Sequence, residues 1–201
     1  MATPPGRGGD AIRAAIRRRY AEASASVAGM FGYPTGREGA ELLGYEPSIL
    51  SGAHPGLLRS FCGVGNPFSL GEIPKGAVLL DFGCGAGFDL FVASRLVGPA
   101  GRAVGVDLTW EMVACARTNL AAAGAANGEV VHLDSGTLPF PRESFDVVIS
   151  NGVINLCPDK LATLRELARV LQPDGRLQLA DVIREDGAPA APPDDPDAWA
   201  Q

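Results

Sequence analysis

From Val78 onward the chain alternates short apolar runs with segments of helical period, and few architectures accept that rhythm. Val78–Phe82, Ala103–Val106, Glu129–Leu133, Phe145–Ser150 and Arg176–Ile183 read as strands. Helical patterns fill Phe88–Val97, closed by Gly98-Pro99, and Trp110–Ala123, with Thr109 as the cap and Gly124 as the stop. Leu161, Leu164, Ala168 and Leu171 mark one face of a further helix, entered through Pro158 and ended by Pro173-Asp174-Gly175. The order predicts an α/β fold: a Rossmann-like parallel sheet with right-handed crossovers and helices on both faces. Such sheets take ligands beyond the carboxyl ends of their strands, near the point where strand order reverses.

The remainder of the 201 residues is organised around that core. Residues 1–9 are polar and rich in glycine and proline, and are expected to form a disordered tail rather than a secretory signal. Asp10 is placed to cap a helix along Ile12, Ala15, Ile16, Tyr20 and Ala23. Arg13, Arg17, Arg18 and Arg19 on that helix make either a solvated face or an attractor of anions. Residues 10–76 read as a helical and loop segment able to cover a site, 77–186 as the core, and 187–201 as a loose tail. An apolar share of 46% supports a sizeable core, and no run approaches the length of a membrane span. With a net charge of −6, nucleic acid is excluded as the default partner. Cys62, Cys84, Cys115 and Cys157 show no C-x-x-C pairing, which favours a reducing cytoplasm.

The segment Asp81-Phe82-Gly83-Cys84-Gly85-Ala86-Gly87 sits between a strand and a helix, the context of a cofactor turn. A dinucleotide fingerprint wants a further glycine where Phe88 stands, so a nicotinamide reductase is disfavoured. Charge points the same way. A diphosphate would be carried towards Asp81, whereas a ligand with an ammonium and a sulfonium would be attracted. Asp107, ending the second strand, can accept both hydroxyls of a ribose, and Asp134, ending the third, can accept from an adenine amino group. Taken singly, such an aspartate is more often a strand-end cap or surface residue; three at the ends of three successive strands favour the joint reading.

These residues resemble the class I S-adenosylmethionine-dependent methyltransferases over about Gly63 to Ile183, and within them the arsenite methyltransferase-like branch. The resemblance is carried by the glycine turn, Gly65-Asn66-Pro67, Val104-Gly105-Val106-Asp107-Leu108-Thr109 and Leu138-Pro139-Phe140. Its most specific part is Ser150-Asn151-Gly152-Val153-Ile154-Asn155-Leu156, followed by Pro158-Asp159-Lys160. It implies that Gly83, Cys84, Gly85 and Gly87 form the cradle for the amino-acid and ribose portion of S-adenosyl-L-methionine. Asp81 would organise the turn, Asp107 and Leu108 would hold the ribose end, and Asp134 with Ser135 would meet the adenine. Asn151 would lie near the sulfonium and the incoming nucleophile, and Asn66 in a segment that closes over the cofactor. Asn66 also reads simply as a turn residue before Pro67.

Two departures from the family pattern bear on the substrate. Gly152 stands where arsenite methyltransferases carry a cysteine, leaving Cys62 and Cys157 either as a displaced thiol pair or as small hydrophobes. Cys84 fills the turn and Cys115 packs within its helix. The superfamily sheet carries a C-terminal strand hairpin that is not found here, so the fifth strand is left as an edge. That edge implies a longer parent, a homodimer or partner chain covering it, or a weakly active short form. Of two histidines, His132 lies within a strand and reads as structural, and His54 in the covering segment is the candidate base. The expected function is methyl transfer to a small-molecule acceptor by in-line displacement. Its rivals are a non-catalytic S-adenosylmethionine-binding module and an O-, N- or C-methyltransferase of a metabolite unrelated to arsenic.

Overall fold

The computed structural model describes residues 7–134, 136–183 and 195–199. Five parallel strands, β1 (Val78–Phe82), β2 (Arg102–Asp107), β3 (Gly128–His132), β4 (Phe145–Asn151) and β5 (Leu171–Ala180), form one sheet in the order β3-β2-β1-β4-β5. The chain builds outward from β1 to β3 and then returns to the other side of β1, so order reverses between β1 and β4. Asp81, Asp107 and Asn151 therefore reach the same end of the sheet from adjacent strands, Asp81 opposite Gly105 on β2 and Ile149 on β4.

The two-residue period of a strand sends neighbours to opposite faces. Leu79, Ala103, Val130 and Val147 join one core cluster, in which they meet α5 (Phe88–Val97) and α6 (Trp110–Ala122). Leu80, Val104, Val106 and Val148 join the other, under Leu167 and Val170 of α7 (Lys160–Val170). No helix of the described residues joins β3 to β4. That crossover is a loop pinned to α7: Glu166 Oε1 accepts from Leu138 N at 2.8 Å, and Arg169 donates to the Phe140 and Leu138 carbonyls at 2.9 and 3.1 Å.

Ahead of the sheet come α1 (Arg7–Ala25), α2 (Gly36–Leu42), α3 (Pro47–Gly52), α4 (Pro55–Arg59) and a 3₁₀ turn (Pro67–Leu70). The first helix starts before Asp10, and Asp10 pairs with Arg13 at 2.7 Å. Of the tails expected at 1–9 and 187–201, residues 1–6, 187–194, 200 and 201 lie outside the described residues. Pro196–Trp199 forms a helical turn, α8, whose Trp199 Nε1 donates to the Leu156 carbonyl at 2.9 Å.

Three local expectations are corrected. The last strand begins at Leu171, ahead of Pro173-Asp174-Gly175, because a bulge absorbs that turn. Its register steps from Phe145↔Leu171 to Val147↔Arg176. It ends at Ala180 rather than Ile183. Thr109 makes no side-chain cap, and its own N–H is held instead by Asp107 Oδ1 at 2.8 Å. Strand β5 pairs only with β4 among the described residues, leaving the edge the pattern predicted.

Candidate functional site

A cleft of about 1280 Å³ opens over the carboxyl ends of β1, β2 and β4. Its floor is the turn after β1. Gly83 has φ +78°, and a Cβ there would lie 2.4 Å from Val153 Cγ2. Gly85 has φ +52° with open space around it, so its backbone is bare to whatever fills the cleft. Asp107 braces the turn, accepting from Gly85 N through Oδ2 at 2.9 Å and from Thr109 N through Oδ1. Burial raises its carboxyl pKa, and these two N–H donors oppose the rise.

Two further carboxylates crowd the floor. Asp81 is 2% exposed, and its Oδ2 has no hydrogen-bond partner among the described residues. Asp89, in the first turn of α5, accepts from the Tyr45 hydroxyl at 2.5 Å and from Asn151 Nδ2 at 2.9 Å. Burial pushes Asp89 up to about 6, and burial together with Asp89 and Asp107 drives Asp81 well above the usual carboxylate range. An isolated buried carboxylate is expensive, and three facing one cleft make it strongly attractive to a cation.

Asn151 ties the covering segment to the sheet. Its Oδ1 accepts from Val64 N at 2.8 Å and Gly65 N at 3.1 Å, while Nδ2 donates to the Gly65 carbonyl at 2.8 Å as well as to Asp89. An amide so fully engaged positions its neighbours. Asn151 itself lines the cleft, and these hydrogen bonds give it a bracing part there that the sequence did not indicate.

The structure brings Asp81, Gly83, Gly85, Asp107, Leu108, Asp134, Asn151, Cys62 and Cys157 to the cleft wall. Asp134 is 85% exposed and its Oδ1 lies 3.0 Å from His132 Nδ1. Burial pushes the Cys62 thiol up to about 12 and raises that of Cys157, so both are neutral thiols at neutral pH. Ser135 lies outside the described residues.

Four expected residues do not line the cleft. His54 caps α4, with Nδ1 accepting from Gly56 N at 3.2 Å, which removes it as a base. Asn66 caps the 3₁₀ turn, accepting from Phe68 N at 3.0 Å. Cys84 is buried where a Cβ on Gly105 would meet its Sγ at 2.7 Å, and Gly87 abuts Ala116 of α6. His132 keeps its structural part: the ring stacks on Trp110 at 4.2 Å and Nε2 lies 3.0 Å from the Leu108 carbonyl.

Sequence reasoning missed Asp89 and Tyr45. Asp89 looks like an ordinary acid at a helix start; only its setting between Phe88 and Leu90 marked it as inward. Ile16 and Tyr20 of α1 line the cleft together with Arg13 and Arg17, so two of the four arginines stand at its wall. No group of three or more metal-ligating side chains occurs among the described residues.

The family described as a methyltransferase domain matches residues 73–200. An arsenite methyltransferase of Halobacterium salinarum is 42% identical over 168 residues, covering 82% of this chain and 42% of that protein. The chain spans about two fifths of the length of the curated arsenite methyltransferases it matches first. Among solved structures, an arsenic(III) S-adenosylmethionine methyltransferase from Chlamydomonas reinhardtii superposes with a TM-score of 0.54 at 32% identity. The match covers 74% of this chain and 50% of that one. A SAM-dependent methyltransferase from Aquifex aeolicus gives a TM-score of 0.57 at 28% identity, covering 74% and 79%.

Proposed function

The chain belongs to the family of methyltransferase domains, and from that premise we propose that it moves the methyl group of S-adenosylmethionine to a small, soft, arsenite-like acceptor. The observation that carries the reading is the orphaned Asp81 oxygen on the floor of an acidic cleft. That floor repels a diphosphate and suits a ligand bearing an ammonium and a sulfonium. The bare Gly85 backbone and the Asp107 carboxylate beside it suit the ribose end of the same ligand, because each Asp107 oxygen keeps a lone pair beyond its backbone donor.

S-adenosylmethionine brings an already electrophilic methyl carbon, so alignment and dryness are what the chain must add. Asp81 accepts from the ammonium and Asp107 from the ribose hydroxyls. Leu108 and Leu133 give the adenine apolar walls, and Asp134 addresses its edge. Phe61 and Phe88, packed edge to face at 4.8 Å, keep water from the reacting end. Asn151 and Tyr45 hold the Gly63–Gly65 strap in register above it. Cys62 and Cys157 are the thiols on this wall, and a soft metalloid is the acceptor that thiols bind best. No histidine of the described residues lines the cleft, in keeping with an acceptor that needs no strong base.

In this reading residues 10–76 are the cover and 77–186 the catalytic core. A second copy or a partner chain covers the β5 edge, where Leu177 is 37% exposed. A reducing cytoplasm suits the four free cysteines. Among the described residues no helix is long and apolar enough to cross a membrane.

The test is incubation of the full chain with methyl-labelled S-adenosylmethionine and, separately, arsenite with a reducing thiol, a phenol and an amine. Label on arsenic supports the proposal. Label on the phenol or amine alone moves the acceptor outside the arsenite class. Retention of the nucleoside without any transfer reduces the chain to a binding module.

A further inference from the structure

We propose that Asp81 and Asp89 form one proton-exchanging subsite for a primary ammonium group: the pair holds a proton when no cation faces it, and the ammonium's arrival releases that proton to solvent. The inference rests on the methyltransferase reading above and adds a proton to its binding step.

The geometry carries it. Strand β1 and the first turn of α5 set two carboxylates on one cleft wall at 2% and 8% exposure. None of the ion pairs among the described residues involves either. Asp89 has both oxygens occupied by neutral donors, the Tyr45 hydroxyl and the Asn151 amide, and these favour its charged form. Asp81 has the opposite setting, with an oxygen that finds no donor. The charged group that acts on the pair from β2 is Asp107, another acid, and β4 contributes the uncharged Asn151. Tyr45, Cys62 and Cys84, from the cover and the turn, are neutral with raised pKa values. Arg13 and Arg17 of α1 and Lys160 of α7 line the same cleft, but none of them comes within 4 Å of either carboxylate.

Two buried carboxylates without a counter-ion do not both ionise near neutrality, and they titrate as a unit. A positive charge docking at the free Asp81 oxygen reverses the balance. The carboxyl O–H bond breaks, its electron pair stays on the carboxylate, and the proton leaves to buffer as the ammonium takes its place. Burial raises both carboxyls in the folded protein, which sets the direction of the linkage. Below the pair's titration the ammonium competes with protons, and above it the competition ends.

Calorimetric titration of the full chain near pH 6, in two buffers of different protonation enthalpy, reads this directly. The ligands are S-adenosylmethionine, S-adenosylhomocysteine and 5′-methylthioadenosine. The first two carry the ammonium and the third lacks it. Roughly one-half to one proton is released with each of the first two and none with the third. Affinity for S-adenosylhomocysteine falls about tenfold per pH unit below the titration, whereas that for methylthioadenosine stays flat. Asp89→Asn reduces the proton count and flattens the profile; the methylthioadenosine contrast needs no variant to fold. Tight binding of all three with no dependence on buffer overturns the proposal while leaving the methyltransferase reading intact. Failure of all three nucleosides to bind refutes that reading, and with it this inference.

Discussion

Replacing Gly85 by alanine separates what the turn needs for folding from what it needs for a ligand. The residue sits at φ +52° with nothing within 4 Å of the place an added methyl group would take, so the only folding penalty is the left-handed backbone. That penalty is about 1–2 kcal/mol, offset by about 0.4–1 kcal/mol from the reduced freedom of the unfolded chain. A net loss of about 1 kcal/mol should lower Tm by about 2–4 °C for a chain of this size. Gly83→Ala is the contrast. It has the same kind of backbone penalty at φ +78° and drives a methyl to within 2.4 Å of Val153, so about 2–4 kcal/mol is expected in all. The informative variant is the milder one. If the Gly85 backbone is where a nucleoside rests, its methyl group stands in the ligand's place. Affinity for S-adenosylhomocysteine then falls at least about tenfold, or about 1.4 kcal/mol, although the fold is barely touched. Thermal denaturation and titration calorimetry on one preparation measure both. A Gly85→Ala protein that melts slightly early yet binds as tightly as the parent would falsify the assignment of this turn as the cradle.

Asp107→Ala should weaken S-adenosylhomocysteine binding by about 1–3 kcal/mol in calorimetry, since it removes the ribose acceptor and unties Gly85 N and Thr109 N. Asn151→Ala leaves the Val64 and Gly65 N–H groups without their acceptor and should lower stability by about 2–4 kcal/mol in urea unfolding; an unchanged midpoint would remove its part as a strut. Cys62→Ser and Cys157→Ser should each abolish label transfer to arsenite while sparing nucleoside binding, a split that filter binding and product analysis resolve. Glu166 is held below the usual carboxylate range chiefly by Arg169, so its stabilising effect is full above that range and is lost as pH falls through it. Glu166→Gln should therefore reduce stability by about 1–2 kcal/mol near pH 7, with the difference from the parent shrinking in thermal melts as acid protonates the paired carboxylate.

Much of the fold was legible because a parallel sheet writes itself in continuous apolar runs. The runs at Val78–Phe82 and Phe88–Val97 coincide with the observed strand and helix, since glycines punctuate both ends. Pro173-Asp174-Gly175 misled because a bulge inside a paired strand uses the same residues as a turn that ends one. At the site, strand-end aspartates were readable from position alone, because the strand itself fixes where Asp81 and Asp107 emerge. Cover residues were not. Tyr45 and Asp89 are 44 positions apart, and only the packing of Tyr45 against Phe61 and Phe88 joins them. His54 failed as a base for a related reason: a histidine before Pro55 at a helix start finds its partner in the nearby Gly56 N–H.

Equilibrium dialysis of the full chain against methyl-labelled S-adenosylmethionine, with S-adenosylhomocysteine and NADH as competitors, bears most directly on what the glycine turn holds. One saturable site, emptied by S-adenosylhomocysteine and indifferent to NADH, is the predicted result. Displacement by NADH, or no retained label at all, would contradict it.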